Sequence, residues 1–74
     1  MTLNELKKGE SATICHIEAD KSLKTRLNSF GITKGATINV EEYTMGKNTI
    51  EISIKRTKVA LRLKEASNIE VEKC

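Results

Sequence analysis

A chain of 74 residues buries only about 60% of the surface its unfolded form exposes, which is enough for one core and excludes a second. Thirteen Lys and Arg against ten Asp and Glu give a net charge of +3, mild beside a dedicated nucleic-acid binder, and with Phe30 and Tyr43 as the only aromatics the stacking platform of an RNA or single-strand reader is missing. No apolar run approaches the ~20 residues of a membrane span, and Met1-Thr2-Leu3-Asn4 lacks the basic start and apolar stretch of a secretory signal, so the expectation is a single domain over 1–74 in the cytoplasm, without membrane insertion or a nucleic-acid partner.

The Thr2-x-x-Glu5 spacing predicts a capped helical turn that puts Leu3 and Leu6 on one face. Gly9 ends it, and Ser11-Ala12-Thr13-Ile14-Cys15-His16-Ile17 reads as a strand rich in branched residues. Its apolar pattern slips by one residue between Ile14 and Ile17, so burying both isoleucines requires a bulge at Cys15-His16. From Asp20 the period changes. Asp20 or Ser22 can cap a helix, Leu23, Leu27 and Phe30 share its apolar stripe, and Gly31 supplies a left-handed C-terminal residue with Ile32 packing beside it.

After a turn at Thr33-Lys34-Gly35, the residues Ala36, Ile38 and Val40 alternate with Thr37, Asn39 and Glu41. The segment Thr44-Met45-Gly46-Lys47-Asn48 separates this strand from Ile50-Glu51-Ile52-Ser53-Ile54, and the two predict a hairpin. Beyond the basic corner Lys55-Arg56-Thr57-Lys58, the residues Val59, Leu61 and Leu63 alternate as a fourth strand. Glu65-Ala66-Ser67 reads as a brief turn, and Ile69 and Val71 close the chain with a fifth strand. Short strands joined by tight turns around one core predict a mainly β fold: a small SH3-like barrel of about five antiparallel strands, with one short α-helix between the first and second.

Residue order carries more than composition. The runs Leu3-x-x-Leu6-x-x-Gly9-x-x-Ala12, Leu23-x-x-Arg26-Leu27-x-x-Phe30-Gly31-Ile32-x-x-Gly35 and Val59-Ala60-Leu61-Arg62-x-x-Glu65-Ala66-x-x-Ile69-x-Val71 resemble the FeoA family, that of ferrous iron transport protein A. The resemblance implies an SH3-like barrel that assists a membrane ferrous iron permease bearing its own GTPase domain (FeoB-type), and kinship with the barrel appended to metal-responsive repressors. Two departures stand out: Arg56 occupies a corner where the family commonly has Gly, and the loop over 44–48 lacks the proline often found there.

Candidate sites are few. Lys55, Arg56, Lys58, Arg62 and Lys64 fall within ten residues that hold no acid, while Glu65, Glu70 and Glu72 follow at once. Such a run is either a solvated face guarding a sheet edge or a docking patch for an acidic protein surface or anionic headgroups. Arg26 either joins that patch or pairs with Glu65. Tyr43 and Met45 are read as an adaptable apolar contact at the hairpin tip. For metal, Cys15-His16 is the only soft-ligand pair and the terminal Cys74 could add a third ligand, weak candidates for Fe2+ or Zn2+ because a closed site usually takes four and neighbouring strand residues face opposite ways. Two cysteines are also too few for a disulfide framework. The Cys-His pair lacks an orienting acid at recognisable spacing, and neither a Gly-rich phosphate loop nor a paired-carboxylate motif is present, so no enzyme activity and no cofactor are expected. The expected role is a monomeric accessory protein of ferrous iron uptake that binds the cytoplasmic part of the permease and sits through it at the inner face of the membrane. The alternatives are a transition-metal carrier and an SH3-like regulatory module of a metal-responsive transcription regulator.

Overall fold

Alternation of branched residues builds the sheet, and its connections force it to curl. The structure, a computed structural model, describes residues 1–44, 46 and 48–73. Among them the chain forms strands β1 (Ser11–Ile17), β2 (Thr37–Thr44), β3 (Thr49–Ile54), β4 (Thr57–Arg62) and β5 (Ile69–Lys73). Helix α1 (Lys21–Ser29) lies between β1 and β2, a single helical turn α2 (Leu63–Ala66) lies between β4 and β5, and a 3-10 turn covers Leu3–Glu5. All strand pairs are antiparallel, in the order β4-β3-β2-β1-β5. The outermost strands β4 and β5 are therefore consecutive in the chain, joined only by α2 and Ser67-Asn68. In a flat sheet their separation would be roughly 19 Å, at ~4.8 Å per strand. A link with four residues coiled at ~1.5 Å each falls short of that, so the sheet rolls its edges toward each other.

The rolled inner face holds Ala12 and Ile14, Ile38 and Val40, Ile50, Ile52 and Ile54, Val59 and Leu61, and Ile69 and Val71, all buried. Leu3, Leu6, Leu27, Ile32 and Ala66 complete the core from the non-strand segments. The expected bulge is present: Ile14 faces Val71 and His16 faces Glu70, leaving Cys15 as the extra residue. That slip buries Ile14 and packs Ile17 partly against the core. A second bulge, not foreseen, lies at Glu41, where Val40 faces Ile52 but Glu42 faces Glu51. It reverses the parity of β2, so Tyr43 rather than Glu42 turns toward the core.

Helix α1 starts where Asp20 accepts the Leu23 N–H at 2.8 Å. It ends in a Schellman motif: Gly31 takes φ +83°, its N–H reaches the Asn28 carbonyl at 3.0 Å, and the Ile32 N–H reaches Leu27 at 3.0 Å. The expected stripe is corrected here. Ile32 folds back over Leu27 and is buried, while Phe30 becomes the C-cap and stays 37% exposed. A further correction concerns β4, which stops at Arg62 because the Glu65 carboxylate takes the Arg62 N–H at 3.0 Å and opens α2, so Leu63 begins a helical turn rather than extending the strand. At the other terminus the Thr2-Glu5 capping box forms as foreseen: the Glu5 carboxylate accepts the Thr2 N–H at 2.7 Å, and the Thr2 hydroxyl also meets Asn4 and Glu5.

Candidate functional site

Five basic side chains follow from one local design, a tight turn feeding an outermost strand. Ile54 pairs with Thr57, so Lys55 and Arg56 are the two residues of the β3–β4 turn, and Lys55 supplies the left-handed φ of +55° that such a turn needs. Lys58 and Arg62 alternate with the buried Val59 and Leu61, which puts them on the outer face with the small, exposed Ala60 between them. Lys64 follows, exposed, on α2. None of the five forms an ion pair with an acid among the described residues. Three other cations do, Arg26 and two lysines: Lys8 Nζ lies 3.0 Å from Glu42 and Lys73 Nζ 2.6 Å from Glu10, whereas Lys7, Lys21, Lys24 and Lys34 form no ion pair among the described residues. On the neighbouring strand Thr49, Glu51 and Ser53 stand opposite Arg62, Ala60 and Lys58, so one acid, Glu51, sits diagonal to two cations without pairing.

Arg26 is settled differently. Its Nη1 lies 2.5 Å from Glu65 Oε2, with Glu65 only 15% exposed, and the other Glu65 oxygen holds the Arg62 N–H. One carboxylate thus ties α1 to the start of α2, and Arg26 spends its charge inside the fold at the border of the basic segment. Tyr43 is also drawn inward. It lies in β2, partly buried against the core, and its hydroxyl donates to the Leu6 carbonyl with the Asn4 carbonyl 3.3 Å away. Burial, and then the negative Glu10, push its phenol above the usual 10.0. Met45 lies outside the described residues, as does Cys74.

Cys15 and His16 do not converge. Cys15, partly buried at the bulge, has Sγ 3.7 Å from the Thr13 carbonyl, whereas the exposed His16 places Nε2 2.7 Å from Glu18 Oε2. No three His, Cys, Asp or Glu side chains cluster for a metal among the described residues. The shifted carboxylates all move down. Glu18 is lowered by its bond to His16, Glu10 by Lys73 and the Lys7 N–H, Glu42 by Lys8, and Glu5 by the Thr2 N–H and hydroxyl. That direction suits acceptors and is opposite to what a general acid needs. A groove of about 230 Å³ between the β1 bulge and α1, lined by His16, Ile17, Lys24, Asn28 and Lys34, was not legible in the sequence, because its walls come from three separated segments with no shared spacing.

The sequence and shape can be set beside known proteins. The model of the FeoA domain matches residues 1–73. The chain is 42% identical over 71 residues to the putative Fe(2+) transport protein A of Campylobacter jejuni, covering 96% of each chain. It superposes on the zinc-complexed FeoA of Stenotrophomonas maltophilia, an SH3 domain protein, with TM-score 0.83 and 28% identity, covering 97% of this chain and 89% of that one. A manganese-dependent transcriptional repressor has TM-score 0.92 at 22% identity, with all of this chain matching 36% of that one. This last likeness is one of fold.

Proposed function

The chain belongs to the FeoA family, and from that premise we propose that it serves ferrous iron uptake as a non-enzymatic accessory protein, docking through its basic β4 edge on an acidic cytoplasmic surface of a GTPase-coupled ferrous iron permease. The name of the Campylobacter relative, an Fe(2+) transport protein, supports the process. The observation that carries the docking surface is the exposed set Lys55, Arg56, Lys58 and Arg62, none with an ion-pair partner among the described residues. Charge arranged this way raises the encounter rate and fixes orientation more than it adds affinity. An accessory that binds one conformation of the permease better than another shifts its population, and that requires no catalytic group and no resident cofactor in this chain. Iron is then the permease's cargo, and Cys15 and His16 have no part in its passage. No helix among the described residues is long and apolar enough to cross a membrane, so in this reading the chain works at the inner membrane face through its partner.

The test is ferrous iron uptake in cells that lack this protein but keep the permease. Wild-type chain is expected to restore the uptake rate, and the triple variant Arg56→Glu, Lys58→Glu, Arg62→Glu is expected to fail at equal cellular abundance. Equal restoration by both would remove the basic edge from the function.

A further inference from the structure

The two edges of the sheet end differently. The outer side of β5 is occupied, since Thr2 bridges Glu70 and the Val71 N–H donates to the Met1 carbonyl at 2.8 Å. Nothing comparable covers the middle of β4 among the described residues. Its six residues pair with β3 in unbroken register, so it carries no bulge, and it contains no Pro. Bulges and prolines are two of the devices that usually blunt an edge.

The direction of the backbone groups follows from that register. The two-residue turn makes Ile54 and Thr57 a hydrogen-bonded pair, as are Ile52 with Val59 and Ile50 with Leu61. The ladder continues where the Leu63 N–H donates to the Asn48 carbonyl at 2.9 Å. Lys58, Ala60 and Arg62 must therefore turn their N–H and C=O groups away from β3. Arg62 demonstrates it, for its N–H meets the Glu65 carboxylate instead, at 3.0 Å. That cap closes the far end and leaves Lys58 and Ala60 as the open stretch. The same alternate residues bear the outward Lys58 and Arg62 side chains, and Ala60 between them has no bulk to shield the backbone.

We propose that the open edge of β4 is a strand-addition site: an extended acidic segment of the partner protein, with acids at alternate positions, joins the sheet as a further strand beside Lys58 and Ala60. The inference rests on the docking reading above and specifies its mode. Backbone bonds to Lys58 and Ala60 provide the pairing, and alternate side chains provide the selectivity. An added residue opposite Lys58 or Arg62 projects on the outer face beside that cation, within the ~5 Å of a cross-strand pair, so a carboxylate there is attracted. Residues between them lie over Val59 and Leu61 and are small and apolar. A basic strand is repelled, which keeps a second copy of this chain from pairing through β4.

The probe is a pair of capped peptides of equal composition, alternating EVEVEVE and block EEEEVVV, titrated into the full chain with amide hydrogen exchange read by NMR. The alternating peptide is expected to bind about tenfold or more tightly than the block isomer and to slow exchange at Lys58 and Ala60 by a similar factor. Ala60→Pro removes an N–H that the sheet does not use, and is expected to abolish this preference while weak binding of the block peptide persists. The exchange readout on the unmodified chain stands whether or not that variant folds. Equal affinity of the two peptides, or unchanged exchange at Lys58 and Ala60, overturns strand addition. If both peptides bind equally and both are lost in Arg56→Glu with Lys58→Glu, strand addition is wrong and electrostatic docking survives. Docking itself falls with charge-insensitive binding to the permease or with equal restoration of uptake by the triple Glu variant.

Discussion

At Lys55 the backbone takes φ +55° in a two-residue turn, a conformation that costs a non-glycine residue about 1 kcal/mol or more. The charge of Lys55 is thus retained at some expense in stability, and Lys55→Gly is expected to stabilise the domain by about 0.5–1 kcal/mol in urea unfolding. Gly31, at φ +83°, is the opposite case. A Cβ there would meet only Ile54 Cγ2 at 3.8 Å, so space is not the constraint. The dihedral is, and Gly31→Val should cost about 1–2 kcal/mol by opening the Schellman end that seats Ile32. Tyr43 adds a pH dependence. Its phenol is held above 10.0 by burial and by Glu10, so the folded state favours the neutral form. The stability this gives is complete below pH 10 and lost as pH rises through and past that value. Tyr43→Phe should cost about 1 kcal/mol at neutral pH for the bond to Leu6, and should remove that part of the alkaline loss in thermal melts.

The elements that could be read from the sequence are those whose signal is local. β1 and its bulge were legible because Ile14 and Ile17 cannot both be buried on a regular strand, and Asp20 and Gly31 marked the ends of α1. The bulge at Glu41 was not, since a run of Glu41, Glu42 and Tyr43 gives no parity until Ile50 stands opposite Tyr43. Phe30 misled for a similar reason: once Gly31 reverses the chain, Ile32 takes the place that helical spacing assigns to Phe30. Glu65 was foreseen as a partner of Arg26 but not as the cap of Arg62, and it holds both at once. Removing it in Glu65→Ala is expected to cost about 1–2 kcal/mol. Arg26→Ala should cost about 0.5–1 kcal/mol, because that guanidinium is half exposed and screened by solvent. Chemical unfolding of the two variants checks that order.

Across the whole molecule, charge is sorted rather than balanced. Acids pair with one cation each in the N-terminal segment, α1 and β5 (Lys8, Arg26 and Lys73), and the turn and strand 55–62 are left without ion pairs among the described residues. The basic run itself was legible, because five cations without an acid need no fold to be seen. Its coincidence with the unpaired edge was not, since strand order is a long-range property. Glu5, Glu10, Glu18 and Glu42 all sit below their usual 4.5, so their contribution to stability is fully present above pH 4.5 and is lost as pH falls through their lowered values. Melting temperature should therefore stay level from neutral pH to about 5 and fall below 4.5, with a shallower fall in Glu10→Gln. The central claim is that the basic edge steers this chain onto the permease. It is tested most directly by surface plasmon resonance against the permease's soluble GTPase domain at two ionic strengths, comparing wild type with Arg56→Glu, Lys58→Glu and using circular dichroism as the folding control. The account predicts a slower association rate and a weaker salt dependence for the folded variant. An association rate and salt dependence equal to wild type would contradict it.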